Sequence, residues 1–266
     1  MSDTSINNRD SAHPNAIPGR LKSIVISDRM TVSYAGLSSQ ALDAVRSLRH
    51  KRISSTDDAI EFLEREARSY AGELDFILCS HENSEIPRLV KITADAACEG
   101  ADFYWIGNSE SASALSRFET SYNEPQDAPD WQSSEERRFA NRFHEYMRQS
   151  RDPNVGGAVI SCLCSPFGHC YQDHVGTHAW GTITIPDPTP VEVRAAEHRT
   201  GAVSYSYLVY CPAQRGVALV GFYLEQPGIG FLYLPLERDE PIRIAAADQD
   251  QFRRVVSAAA EERGAV

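Results

Sequence analysis

Apolar positions fall in short alternating runs or in helical stripes over most of the chain, and the period switches at recognisable punctuation. Ser23 to Ser27 (SIVIS) and Met30 to Ala35 (MTVSYA) are β-rich runs split by Asp28-Arg29 and closed by Gly36, which predicts a hairpin. Behind Ser38-Ser39, the residues Ala41, Ala44, Val45 and Leu48 recur at helical spacing, and behind Thr56-Asp57-Asp58 so do Ile60, Leu63, Ala67 and Tyr70. Two amphipathic helices are expected there. Leu74 to Ser80, Arg88 to Thr93 and Ala101 to Ile106 then predict three strands of an antiparallel meander. Helices are expected over about Ser111 to Glu119 and from Ser133 through Met147, joined by a linker from Asn123 to Asp130.

Val159 to Cys164 reads as a strand that Ser165-Pro166-Phe167-Gly168 turns back into His169 to Gln172. After the breakers Pro186, Pro188 and Pro190, strands are expected at Val203 to Cys211, Val217 to Leu224 and Ile229 to Leu234, and a last helix at Asp248 to about Glu262. Met1 to Gly19 is polar and aperiodic, which predicts a mobile arm. The organisation expected is a disordered arm over 1–19, a core over 20–185, and a hairpin and helix over 186–266 packed into the same domain.

Composition narrows the function classes. The 266 residues carry 26 Lys+Arg against 37 Asp+Glu, a formal charge of -11, and such a field repels phosphates and anionic lipid. Neither nucleic acid nor a membrane surface is expected as a partner. A hydrophobic share of 42% is that of a folded globular protein. No window reaches the roughly 18 apolar residues that a membrane helix needs, and Met1 to Gly19 has no apolar signal-peptide core. A cytoplasmic protein is expected, with its six cysteines as reduced structural thiols.

The order of elements from Leu21 to about Gln172, with the segments LKSIVISDRMTVSYAG, SSQALDAVRSL, FILCSHENSEIPRLVKITADAACEGADFYWIGNSESASALSRFE and DPNVGGAVISCLCSPFGHCY, resembles the proteasome-like branch of the N-terminal-nucleophile hydrolases. The resemblance covers somewhat over half the chain. It implies an α+β fold, a four-layer αββα sandwich of two antiparallel sheets flanked by helices. In that family an amino-terminal Thr, Ser or Cys attacks a carbonyl and its own α-amine takes the proton. A lysine ahead of the hairpin keeps that amine neutral. Lys22 matches that lysine and is the candidate catalytic residue.

The family also requires a Thr-led strand, a turn and an aspartate-bearing strand before the lysine, where this sequence has only the polar segment up to Lys22. Ser2 after Met1 removal, or Thr4 or Ser5 after processing, are the remaining candidate nucleophiles; none starts an alternating run that would fix its geometry. A non-catalytic subunit that assembles as a homo-oligomer, or binds a peptide or protein, is therefore the expected function, with no cofactor and no metal. An active amide hydrolase is the alternative. The hairpin of Val217 to Leu224 and Ile229 to Leu234 is expected to replace the missing strand pair beside Ser23 to Ser27, because an open sheet centre leaves backbone groups unpaired.

Cys162, Cys164, His169, Cys170, His174 and His178 form a window of zinc-type ligands and give a third reading, a zinc-stabilised module. Their spacing differs from that of zinc knuckles, so core thiols and surface histidines are expected instead. Asp173 and His174, adjacent on a strand, would face opposite ways and do not form a triad. Gly228 and Gly230 are expected to serve turns or close packing.

Overall fold

A computed structural model describes residues 2–3, 19–53, 55–82, 86–101, 104–107, 143, 159–180, 203–212, 215–225 and 228–263. The helices expected over 111–119 and 133–147 and their linker lie outside these residues, apart from Phe143, which is helical, buried, and 6.3 Å from the Trp105 ring. The fold is mixed α+β, and every strand pairing is antiparallel. Among the described residues no helix is long and apolar enough to cross a membrane.

The first five-stranded sheet runs in chain order: β2 (Ser23–Ser27), β3 (Met30–Gly36), β4 (Leu74–Ser80), β5 (Arg88–Ile92) and β6 (Ala97–Glu99). Alternation places Ile24, Val32, Leu78 and Val90 abreast on one face, with Tyr34, Phe76 and Ile92 beside them, all buried. Onto this face pack α1 (Ser38–His50), through Ala41, Leu42, Val45 and Leu48, and α2 (Thr56–Ser69), through Ala59, Phe62, Leu63 and Ala67. The Ser55 hydroxyl caps α2 by accepting from Asp58 N–H, and Thr56 and Ser80 hydroxyls meet at 2.9 Å beneath the cap.

The third strand of this meander differs from the sequence expectation. It forms at Ala97–Glu99, and Tyr104 to Ile106 are not a strand. The Thr93 hydroxyl accepts from the Asp95 and Ala96 N–H groups, and Thr93 N–H bonds to Ala96 C=O at 3.0 Å. That local turn reverses the chain at once.

The second five-stranded sheet is also a meander: β10 (His174–Trp180), β11 (Val203–Tyr210), β12 (Val220–Leu224), β13 (Ile229–Tyr233) and β14 (Ile242–Ala245). One face carries Tyr207, Val209, Phe222, Leu224, Phe231 and Tyr233, which share one core cluster with the first sheet and its helices. The other face carries Leu208, Tyr223, Leu232 and Ile244 and is covered by Phe252, Val256 and Ala260 of α3 (Gln249–Glu261). Phe252 stacks on Tyr223 with centroids 5.1 Å apart, over Gly221 and Gly230, where any Cβ would collide with its ring. Gly230 is thus a close-packing glycine, and Gly228, at φ +65°, a turn glycine. Arg46 bonds Asp239 at 2.6 Å and the Pro235 carbonyl at 2.9 Å, tying α1 to the loop after β13.

Two smaller pairings complete the described strands. β1 (Ser2–Asp3) pairs with β7 (Val159–Ile160), and β8 (Cys162–Ser165) pairs with β9 (Gly168–Tyr171) through the expected Ser165 to Gly168 turn. The first of these departs from the sequence expectation, which put no element before Gly19.

The expected transfer of the C-terminal hairpin beside β2 does not occur. β12 bonds to β11 and β13, and among the described residues β2 is the last strand of its own sheet. Two of the outward backbone groups of β2 are met by one side chain instead. Tyr171 of β9 donates its hydroxyl proton to Ser23 C=O at 2.9 Å and accepts from Val25 N–H at 3.2 Å. Farther along, His169 N–H donates to Asp28 C=O at 2.9 Å, and Gly216 N–H to His169 C=O at 2.8 Å. Gly216 sits at φ +80°, and a Cβ there would lie 2.5 Å from Asp28 N, so only glycine fits this junction.

Tyr171→Phe leaves a buried donor and a buried acceptor unsatisfied and is expected to cost about 2–4 kcal/mol in urea unfolding. Tyr210→Phe, which removes a half-buried bond to the Ser257 hydroxyl, should cost less than about 1 kcal/mol. Gly230→Ala drives a methyl into the Phe252 ring and should destabilise by about 1–3 kcal/mol in the same assay.

Candidate functional site

The pairing registers that build the first sheet also set three side chains abreast on its other face. Val25 lies opposite Thr31, and Thr31 opposite Cys79, on the side away from Ile24, Val32 and Leu78. In the β8–β9 hairpin, Cys162 is opposite Tyr171, Leu163 opposite Cys170, and Cys164 opposite His169. Alternation therefore puts Cys162, Cys164, His169 and Tyr171 on one face, with Leu163 and Cys170 on the reverse. The Tyr171 bonds to β2 turn that first face toward Thr31 and Cys79.

A cluster results from the two elements together. One ring nitrogen of His169 and the sulfurs of Cys79 and Cys164 all lie within 4.8 Å of one another. His169 Nδ1 is 2.9 Å from the Thr31 hydroxyl, and its Nε2 is 2.8 Å from Nδ1 of His81, the residue that follows β4. The two imidazoles meet edge to face with centroids 5.0 Å apart. Both histidines are buried, at 0% and 1% exposure, and His81 Nε2 is buried with no hydrogen-bond partner among the described residues.

These contacts set the protonation order. The hydrogen bond from Cys79 holds the Cys164 thiol well below its ordinary value; His169 and Thr31 add to this, and burial opposes it. The same bond, with burial behind it, holds the Cys79 proton in place and raises that thiol. The pair thus releases its first proton from Cys164 and keeps its second on Cys79. Burial lowers the pKa of His81, and a charge on His169 would lower it further, because a 2.8 Å contact between ring nitrogens holds one proton and not two. Burial raises Cys162 and Cys170, which remain thiols.

A thiolate beside a buried imidazole can act as a metal ligand or as a nucleophile, and two thiols in contact can ligate one ion together. All six cysteines are free thiols.

The candidates read from the sequence separate in space. Cys164 and His169 come together; Cys170 is on the reverse of the hairpin. His174 lies in β10, where its ring meets Tyr207 edge to face at 5.6 Å, and His178 is opposite Tyr205 in the same ladder. Asp173 accepts from Cys211 N–H at 2.6 Å. Lys22 stands one residue ahead of β2, and its carbonyl accepts from Tyr34 N–H. Ser2 is paired with Ile160, two residues before Cys162; Thr4 and Ser5 lie outside the described residues. Thr31, Cys79 and His81 were missed by sequence reasoning. Their only signal is the alternation in β4, which sends Cys79 to the face opposite Phe76 and Leu78.

No protein-family model and no curated protein matches the chain.

Burial lowers both His81 and His174 below the ordinary 6.5. Below that pH the unfolded chain takes up protons that the native rings refuse, so native stability is full above about pH 6.5 and falls as the solution is acidified. The melting temperature is expected to drop steadily from pH 7 to pH 5, with a shallower drop in His174→Gln.

Proposed function

We propose that this chain is a proteasome-like protein of the N-terminal-nucleophile superfamily, a four-layer αββα sandwich that works as a non-catalytic assembling or binding subunit. Support for the fold comes from the layering of contacts: α1 and α2 on the outer face of one antiparallel meander, α3 on the outer face of the other, and one apolar cluster common to both sheets. The observation that carries the non-catalytic reading is the edge of β2. A nucleophile-bearing strand pair preceding Lys22 would bond there, and the Tyr171 hydroxyl already holds Ser23 C=O and Val25 N–H. A homo-oligomer in the cytoplasm, without nucleic acid or membrane as partner, follows by analogy with the family and from the net charge of -11.

One observation favours a second reading, an active amide hydrolase. The backbone of Ser2 is paired with Ile160, so the start of the chain has a strand partner. With Met1 removed, Ser2 would be the nucleophile, its α-amine the base and Lys22 the nearby cation.

Light scattering across a hundredfold concentration range separates these readings from a lone monomer. Assembly into multiples of the 29.5 kDa chain is expected, and a monomer throughout sinks the assembling subunit. Intact-mass analysis after treatment with an electrophilic amide-hydrolase probe should show no adduct on the first residue. An adduct on Ser2 that Lys22→Ala abolishes selects the hydrolase.

A further inference from the structure

We infer that Cys79, Cys164 and His169 form a binding site for a divalent late transition metal of the zinc type. This inference stands apart from the assembly reading and needs neither a free N-terminus nor an oligomer. The donor set is two thiolates and an imidazole, the soft and borderline ligands that zinc prefers over the oxygen sites of magnesium or calcium. The three donors come from three strands, β4, β8 and β9, whose positions are fixed by pairing with neighbours rather than by the ion. Donor atoms on a zinc tetrahedron are about 3.5–4 Å apart, so a group already within 4.8 Å closes on an ion by side-chain rotation of about an ångström.

The charge arithmetic supports the same occupant. Two thiolates and a neutral imidazole around a divalent cation sum to zero net charge, which suits a site whose imidazole is fully buried and whose two thiols are half-buried. On binding, two sulfur–metal bonds and one nitrogen–metal bond form, and the thiol protons leave to solvent. The imidazole is also held in orientation. The ring nitrogen that takes the ion gives up its present hydrogen bond, and the other keeps its own, to Thr31 or to His81. Three protein donors leave a fourth position on the tetrahedron for a water or for a further ligand, of which the His81 imidazole is one.

The donor set differs from the one the sequence offers. Cys170 is excluded because it lies on the reverse of the hairpin, and His174 because it belongs to the ladder of the second sheet. Cys79, 85 residues before Cys164 in the chain, enters only through the fold.

The test is titration of the reduced, metal-stripped full chain with Co²⁺ and then Zn²⁺. One Co²⁺ per chain is expected, with the intense absorption of tetrahedral thiolate ligation, displaced by one Zn²⁺. Cys79→Ser, Cys164→Ser and His169→Gln should each weaken binding at least tenfold, while Cys98→Ser and Cys170→Ser should bind like the unaltered chain. Because a core variant can fail to fold, the unaltered chain gives an independent reading: zinc should slow alkylation of Cys79 and Cys164 at least tenfold and leave exposed Cys98 as reactive as before. Absence of the thiolate absorption, equal alkylation rates with and without zinc, or full binding by the Cys79→Ser/Cys164→Ser double variant overturns the site.

Discussion

A buried sheet edge must find partners for its outward N–H and C=O groups, and at β2 one phenolic hydroxyl serves one of each, Val25 N–H and Ser23 C=O. Ser23 and Val25 are 1% and 0% exposed, so water cannot serve them. A hydroxyl can donate and accept at once, which lets Tyr171 take the Val25 proton and give its own to Ser23. That dual role requires a neutral phenol, and burial raises Tyr171 well above the ordinary tyrosine value. A neighbouring strand would have satisfied the same groups with its own backbone. A side chain does so at a single point, and it fixes the hairpin that carries it over the polar face of the sheet.

The position of the thiol cluster follows from that fixation. Cys164 and His169 occupy the hairpin face that bears Tyr171, and Thr31 and Cys79 occupy the sheet face beneath it. His169 is held twice more through its backbone, to Asp28 and to Gly216, so its ring has little freedom to leave Thr31 and His81. The sheet face here carries Ser23, Thr31, Ser33 and Cys79 beside Val25 and Leu89, while most of the buried apolar residues of β2 to β5 lie on the other side, against α1 and α2. A polar face covered by a hairpin is tolerable only if its groups bond to one another. The Thr31, His81 and His169 chain is the form that this takes.

Much of the architecture is legible in the order of residues. The alternation of β3 and β4, the continuous apolar runs of β2, β12 and β13 and the 3.6-residue stripes of α1, α2 and α3 are strong because each element buries one face only, or lies between two apolar layers. β6 was misplaced because Thr93 supplies a turn through its side chain, a signal weaker than the aromatic run that follows. β10 escapes notice because Gly176 interrupts its run, and β14 because Ile242-Arg243-Ile244 alternates over too few residues to stand out. Two of the three donors of the thiol cluster, Cys164 and His169, fall in one window of the sequence. Cys79 was not legible, since a lone cysteine in a strand carries no spacing, and its partner is set by tertiary register.

The segment from Val159 to Tyr171 shows how these constraints converge on a few residues. Its first two residues pair with Ser2 and Asp3, its middle supplies Cys164, and its last residue closes β2. Tilting it to seat a different strand beside β2 would withdraw Tyr171 and pull His169 away from Thr31 in the same movement. Edge closure, the partner of the chain's first strand and the geometry of the thiol site are therefore one mechanical unit. A change at any of the three is felt at the other two through the hydrogen bonds of Tyr171 and His169, side chain and backbone alike.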